Sequence, residues 1–318
     1  MDTENPQHNL YTVAFYNLEN LFDIYDDPDT LDDNFTPKGT KKWNAKKYSR
    51  KVKKIASVIS QIGVKETGFP PAIIGLAEVE NKEVVEDLIQ TESLQKYGYG
   101  YVHYDSADER GIEVAFLYRK NIFSVEHTQT FTLLIENEFG ERDYTRDILL
   151  VKGKLQGQTV YCIVNHWPSR REGEDKTEYK RIAGADKVHQ IIDIIKEETD
   201  LAKVLIMGDF NDDPISKSIK QHLVDEDLYN PFESLLAKGN GSLNHNGDWH
   251  VFDQIIISKT FFEDSGFIYR NAYIFDDHFL KEWKGKRRGN PFRTYIGKWH
   301  QGGFSDHFPV YITLEEIV

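Results

Sequence analysis

Apolar and polar positions alternate in short runs along almost the whole chain, and three longer stretches break that rhythm. Runs rich in Val, Ile, Tyr and Phe predict β-strands at Leu10–Tyr16, Pro71–Ala77, Gly98–Tyr104, Glu113–Tyr118, Ile148–Leu155, Thr159–Val164, Lys203–Met207, Val251–Ser258 and His307–Thr313. Helical spacing replaces alternation over Lys46–Ile62, where Val52, Ile55, Ala56, Ile59 and Ile62 share a face and lysines take the others. Val84–Leu94 turns Val84, Val85, Leu88 and Ile89 inward, and Glu178–Lys196 repeats the pattern through Ile182, Ala185, Val188, Ile192 and Ile195. Many strands at hairpin-like spacing and few helices predict an α/β fold of two mixed β-sheets packed face to face with helices outside. The chain divides loosely near residue 156, and each half offers several strands and at least one helix. No repeat, low-complexity tract or linker interrupts it, so a single domain is expected over residues 10–318 behind a flexible N-terminus at 1–9.

Polar residues fall at particular places in this pattern. Asn17, Glu78, His166 and Asp209 each follow directly on an apolar strand. Asp253 and His307 stand near strand starts, after the turn-like segments Asn246-Gly247-Asp248 and Gly302-Gly303. Where antiparallel neighbours pair, the ends of some strands and the beginnings of others share one rim, so these six side chains are expected to converge on one cleft. The run Val204–Met207 leads through Gly208 to Asp209 and Asn211, two positions apart; on an extended backbone both would point the same way. A carboxylate beside a neutral amide suits phosphoryl chemistry: one handles a proton, water or metal while the other holds a phosphate oxygen. An Asp/Asn turn ahead of Pro214 would explain that stretch alone. It would not explain six site-competent residues on one rim.

Charge narrows the chemistry. With 52 acidic against 39 basic residues the formal net charge is -13, which argues against broad, charge-driven binding to nucleic acid but leaves room for a local basic surface. An acidic protein that handles phosphates usually needs a divalent cation to bridge the two anions, so the composition favours a metal. No run approaches the roughly 20 apolar residues of a membrane span. Met1–Asn9 is polar and shows no signal peptide, so a cytoplasmic chain is expected, although a secreted chain trimmed of its leader would look the same. The single Cys162 rules out an intrachain disulfide and reads as a buried strand residue between Tyr161 and Ile163. A monomer is the expected state.

Six motifs occur in order: Phe15-Tyr16-Asn17, Gly75-Leu76-Ala77-Glu78-Val79, Asn165-His166, Gly208-Asp209-Phe210-Asn211, Phe252-Asp253-Gln254-Ile255 and Ser305-Asp306-His307-Phe308-Pro309-Val310. Together they resemble the successive motifs of the endonuclease/exonuclease/phosphatase superfamily, and the resemblance runs from about Leu10 to Thr313. It implies a four-layer α/β/β/α sandwich with the site at one rim. It also implies a Mg²⁺-dependent phosphoesterase, with Mn²⁺ as the alternative ion. Glu78 would be the main metal ligand, completed or supported by Asn17 and Asp306. His307, oriented by Asp253, would act as general base or stabilise the attacked phosphate. His166 would contact the phosphate, with Glu113 as its partner carboxylate. Asp209 would position or deprotonate water, or protonate the leaving oxygen. Asn211 would donate to a phosphate oxygen, and Arg146 would lie near the substrate phosphates. Abasic-site endonucleases and pancreatic deoxyribonuclease carry a tyrosine where Gly111 stands here, so that phosphate contact is not expected. Asn17-Leu18-Glu19-Asn20-Leu21-Phe22-Asp23 with Phe35-Thr36-Pro37 resembles a bacterial subgroup whose substrates are poorly defined.

Substrate choice falls to the rim loops and to two basic clusters. Lys38, Lys41, Lys42, Lys46, Lys47, Arg50, Lys51, Lys53 and Lys54 lead into the first helix and read as its solvated face. Lys281, Lys284, Lys286, Arg287, Arg288 and Arg293, interleaved with Trp283 and Phe292, could clamp a nucleic-acid backbone or a multiply phosphorylated headgroup. The leading expectation is a phosphodiesterase acting on nucleic acid by in-line attack of water. The alternative is a phosphatase or phosphodiesterase of a small substrate: an inositol phosphate, a nucleotide or a phospholipid headgroup. A catalytically silent binding scaffold is the third reading, disfavoured because every charged position the chemistry requires is present.

Overall fold

The alternation resolves into two six-stranded sheets in the computed structural model, which describes residues 9–137 and 139–317. The strands are β1 (Leu10–Leu21), β2 (Ile73–Val79), β3 (Tyr99–His103), β4 (Glu113–Arg119), β5 (Phe123–Phe131), β6 (Ile148–Leu155), β7 (Gln158–His166), β8 (Val204–Asp209), β9 (Leu228–Tyr229), β10 (Asp253–Ser258), β11 (Gly266–Ile274) and β12 (Val310–Ile317). The first sheet runs β11-β12-β1-β2-β4-β3 and the second β9-β10-β8-β7-β6-β5. Helices α1 (Ala45–Ile59) and α2 (Lys82–Ile89) cover the first sheet, and α3 (Glu174–Glu198) covers the second. This is the α/β/β/α sandwich.

Side-chain alternation sorts residues between layers. On β1, Val13 and Phe15 join the core between the sheets, while Ala14 and Tyr16 pack with Ile55 and Ile59 of α1. On β8, Leu205 and Met207 face inward, and Val204 and Ile206 meet Val188 and Ile191 of α3. Cys162 lies in the inter-sheet core. Gly75 lets the sheets approach: a Cβ there would sit 2.7 Å from the Met207 sulfur. Asn44 and Asn81 start α1 and α2 by accepting hydrogen bonds from the Lys47 and Val84 amides.

Each sheet carries one parallel pair at its centre, β1 with β2 and β7 with β8, flanked by antiparallel strands. The parallel pairs end at the rim where the flanking strands β4, β10 and β12 begin. This is the arrangement that brings strand ends and strand starts together.

The structure departs from the sequence reading in three respects. Strands β5, β9 and β11 were not expected; all three are edge strands of the main sheets, β9 spans only two residues, and exposed polar positions in β5 and β11 blur the alternation. The chain does not halve near residue 156, because β5 and β6 join the second sheet while β11 and β12 return to the first. The expected flexible segment 1–9 lies outside the described residues apart from Asn9, whose carbonyl accepts the Glu316 amide at 2.8 Å. Among the described residues no helix is long and apolar enough to cross a membrane.

Phe116, fully buried between the sheets, tests this packing. Phe116→Ala is expected to lower unfolding free energy by about 3–5 kcal/mol, read from the urea midpoint at unchanged slope.

Candidate active site

The ends of both parallel pairs deliver polar side chains to one cleft of about 770 Å³. Where β1 and β2 reach the rim their pairing slips, and Glu19, Asn20 and Glu78 adopt left-handed backbone angles with φ of 53°, 54° and 63°. Asn211 does the same at 51°. Such conformations cost non-glycine residues on the order of 1 kcal/mol or more each. Local hydrogen bonds hold three of these turns. Asn17 Oδ1 accepts from the Glu19 amide at 3.0 Å, Glu78 Oε2 from the Asn20 amide at 2.6 Å, and Asp209 Oδ1 from the Asn211 amide at 2.9 Å.

Contacts then cross between the sheets. Asn17 Nδ2 donates to Asp209 Oδ2 at 2.9 Å, with both residues buried. His166 Nε2 stands 3.9 Å from Glu78 Oε1 and 3.9 Å from Asp209 Oδ2. His307 Nδ1 is 2.7 Å from Asp253 Oδ2, which also accepts from the Ser242 hydroxyl at 2.6 Å. The other ring nitrogen of His307 lies 4.0 Å from Asp209 and 3.9 Å from Asp306. Arg293 pairs with Asp306 and comes within 3.7 Å of Glu19.

Environment drives the two imidazoles apart. Burial opposes charge on His307, but Asp253 beside it, their hydrogen bond, Asp209 and Asp306 hold its pKa well above the ordinary value, so it is a cation. Burial, reinforced by Arg146, Arg110 and His307, holds His166 well below the ordinary value, so it is neutral. Burial and the neighbouring Asp253 push Asp209 up to about 6 against the pull of His307. Burial and Asp306 push Glu19 up to about 7. Opposed protonation states at one cleft are what acid–base chemistry near neutral pH requires.

The donor set fits a hard divalent cation. Glu78 and Asp306 both line the cleft, and each has one oxygen committed, to the Asn20 amide and to Arg293 respectively. Neither Glu78 Oε1 nor Asp306 Oδ1 accepts a hydrogen bond among the described residues. Two such carboxylate oxygens on a wet cleft suit Mg²⁺, which keeps several of its waters. Asp209, Asp253 and His307 also hold ligand atoms within 4.8 Å of one another. That trio is a weaker cage, because His307 and Asp253 are spent on each other and Asp209 accepts from Asn17 and Asn211.

Of the expected site residues, Glu78, His166, Asp209, Asn211, Asp306 and His307 line the cleft. Asp253 stands directly behind His307, and Asn17 behind Asp209 rather than on the wall. Asn211 arrives by a turn at the end of β8, not along an extended backbone; its Nδ2 donates to the Trp167 carbonyl at 2.9 Å. Two expectations are corrected. Glu113 does not partner His166: its carboxylate accepts from the amide and hydroxyl of Ser106, at 3.1 and 2.8 Å, and His166 Nδ1 is buried without a partner. Arg146 does not line the cleft: it is buried behind the wall, where it pairs with Asp108 at 2.9 Å and donates to the Trp167 carbonyl.

The cleft cations are instead Arg110, Arg170, Arg171, Lys41 and Arg293. Sequence reading missed the first three, although Arg170-Arg171 four residues beyond His166 and Arg110 beside Gly111 were available signals. The lysine cluster before and within α1 is not simply solvated. Lys51 is buried and donates to the Glu19 carbonyl and to Thr294 Oγ1, and Lys41 reaches the cleft 4.7 Å from the Tyr295 ring centroid.

A profile described as "Endonuclease/Exonuclease/phosphatase family" matches residues 12–316. No curated protein matches the chain. Among solved structures, D. rerio TDP2 humanized by 14 mutations superposes with a TM-score of 0.59 at 14% identity, covering 96% of this chain and 99% of that one. A mannosyl-6-phosphatase from Bacteroides thetaiotaomicron VPI-5482 gives 0.58 at 19%, with 96% and 99% covered. The human Nocturnin catalytic domain with bound sulfate gives 0.59 at 14%, with 98% and 96% covered. At these identities the likeness is one of fold.

Glu113 yields a pH test. Burial pushes its pKa to about 7 from 4.5, so the folded state holds this proton more tightly than the unfolded chain. The group's stabilising contribution is full below about pH 4.5 and is lost as pH rises through about 7. Glu113→Gln is therefore expected to gain on the parent between pH 5 and pH 8 by on the order of 3 kcal/mol, measured by urea unfolding at both values. An unchanged difference would remove this assignment.

Proposed function

The chain belongs to the endonuclease/exonuclease/phosphatase family, and we propose that this cleft hydrolyses phosphate esters by in-line attack of water with the help of a divalent cation. The observation carrying the reading is the meeting of Glu78, His166, Asp209 and the His307–Asp253 pair, all delivered by ends and starts of strands. Glu78 and Asp306 would hold the cation, Mg²⁺ by hardness and with Mn²⁺ able to replace it. When bound, the ion neutralises the attacked phosphate and polarises its oxygens.

The remaining work falls to fixed side chains. Asp209, held at Oδ1 by the Asn211 amide and at Oδ2 by Asn17, is an oriented acceptor for the proton of the attacking water. His307, its Nδ1 tied to Asp253, offers Nε2 to a phosphate oxygen and meets the negative charge developing there. His166 as a neutral ring donates from Nε2 to a second oxygen. Asn211 retains one amide hydrogen beyond its bond to the Trp167 carbonyl for a third.

A compact ester fits the cleft better than duplex nucleic acid. Its lining is tied down: Lys41 donates to the Gly297 carbonyl at 2.6 Å, and Arg170 pairs with Glu174 and Asp212 at 2.8 and 2.5 Å. A volume near 770 Å³ is that of small-molecule sites. Support for the nucleic-acid reading comes from Trp283, exposed in the basic loop with Lys284 4.3 Å from its ring centroid, a platform on which a base could stack. Fold neighbours include both a mannosyl-6-phosphatase and TDP2 with a single-strand DNA product, so fold alone does not choose.

The deciding assay compares p-nitrophenyl phosphate, bis-p-nitrophenyl phosphate, a single-stranded oligonucleotide and supercoiled plasmid, each with Mg²⁺. Hydrolysis of at least one ester, abolished by EDTA, is expected. Glu78→Gln should lower kcat/KM by about 100-fold or more, and His307→Ala by about 10²–10⁴-fold. Full activity in EDTA, or in Glu78→Gln, would sink the metal assignment. Retained activity in His307→Ala would remove the His307–Asp253 pair from the mechanism.

A further inference from the structure

A second hollow of about 610 Å³ opens off the cleft between the 244–249 hairpin and the 281–293 loop. His245, Arg293 and Asp306 line both spaces, so the two adjoin. The loop is built rather than loose. Lys281 bridges Pro291 in antiparallel fashion, the Glu282 amide donates to the Asn290 carbonyl at 2.8 Å, and Asn290 Nδ2 donates to Asn244 Oδ1 across the hollow's floor at 3.2 Å.

Its lining carries more basic than acidic side chains: Lys286, Arg287 and Arg293 against Asp306. Several neighbouring cations are matched, Arg293 with Asp306, Lys281 with Asp276 and Arg170 with Asp212. Lys286 and Arg287 both line the hollow, and among the described residues neither meets a carboxylate. Both side chains are exposed, and among the described residues neither head group is held by a hydrogen bond, so both are available to an anion. A guanidinium fork and an ammonium side by side form a phosphate-type receptor.

We propose that this side hollow is a second anion subsite, and that the substrate is a small molecule carrying a second phosphate or similarly charged group besides the one hydrolysed. The proposal rests on the phosphoesterase reading of the main cleft and adds to it the class of ester. The scissile phosphate occupies the cleft beside Glu78 and His307, the body of the molecule passes Arg293 and His245, and the second anion sits between Lys286 and Arg287. Arg293, already neutralised by Asp306, marks the boundary between the two charged pockets.

The test uses a homologous series of α,ω-alkane diphosphonates and the matching alkyl monophosphonates, titrated calorimetrically into the protein at fixed Mg²⁺. At some chain length the diphosphonate is expected to bind about tenfold or more tightly than its monophosphonate. Lys286→Ala/Arg287→Ala should bring that ratio close to one, and the charge-preserving Lys286→Arg/Arg287→Lys should retain most of it. A ratio near one at every length, or one that survives in the alanine pair, overturns the subsite. So does a charge-dependent gain seen only with an octathymidylate and with no diphosphonate, which would make the hollow a nucleic-acid groove. Turnover of p-nitrophenyl phosphate, followed in parallel, separates the two readings. If it is absent while the diphosphonate ratio depends on Lys286 and Arg287, the reaction is wrong and the subsite stands.

Discussion

Asn17 and Asp209 belong to different sheets, and the 2.9 Å hydrogen bond between them is the constraint on which the rim depends. Asp209 Oδ2 is the acceptor of that bond, and the same atom lies 3.9 Å from His166 and 4.0 Å from His307. Its position therefore sets the spacing of both imidazoles. The bond can form only because the sheets are held at a fixed separation by the apolar core between them, with Gly75 against Met207 at a close approach. A buried carboxylate without this donor would face a desolvation penalty of several kcal/mol. The polar contact and the core packing thus support each other.

The central strands were legible because burial on both faces leaves them little but Val, Ile, Leu and Phe. The edge strands Phe123–Phe131 and Gly266–Ile274 were not, since half-exposed positions accept Glu126, His127, Arg270 and Asn271 without penalty. The convergence of Asn17, Glu78, His166, Asp209, Asp253 and His307 could be read from their places at strand ends and starts. What could not be read was which way a side chain turns once the strand has ended. Glu113 opens β4 and looked like a partner for His166, yet the 104–112 loop folds back to offer it Ser106 instead. Arg146 had the chemistry of a phosphate ligand, but Asp108, distant in sequence, draws it inward. Arg110 and Arg170-Arg171 sit in loops without periodicity, where residue type alone does not indicate direction.

The lysines around α1 show how an acidic protein uses its cations. Lys51 gives up hydration to reach the Glu19 carbonyl and Thr294, and Lys54 donates to the Gly302 carbonyl while lying 4.5 Å from the Phe304 ring centroid. Both grip the segment that immediately precedes Asp306 and His307. Glu19 receives the Thr294 and Tyr295 amides from the same segment. A helix that reads as a charged surface is therefore the clamp that fixes the last two site residues, and the unusual turn at Glu19 exists to present a carboxylate to that clamp.

The strand order carries a further meaning for how the molecule is made. Val310–Ile317 lies between Leu10–Leu21 and Gly266–Ile274, so the first sheet has a gap beside its earliest strand until the last strand emerges from the ribosome. Until Val310–Ile317 is made, the edge of Leu10–Leu21 that it occupies lacks its native partner. His307, three residues ahead of that closing strand, is the last member of the rim to arrive. The order of synthesis is thus also an order of assembly, and a chain that stops short of His307 presents Glu78 and Asp209 without the ring that faces Asp209 in the finished rim.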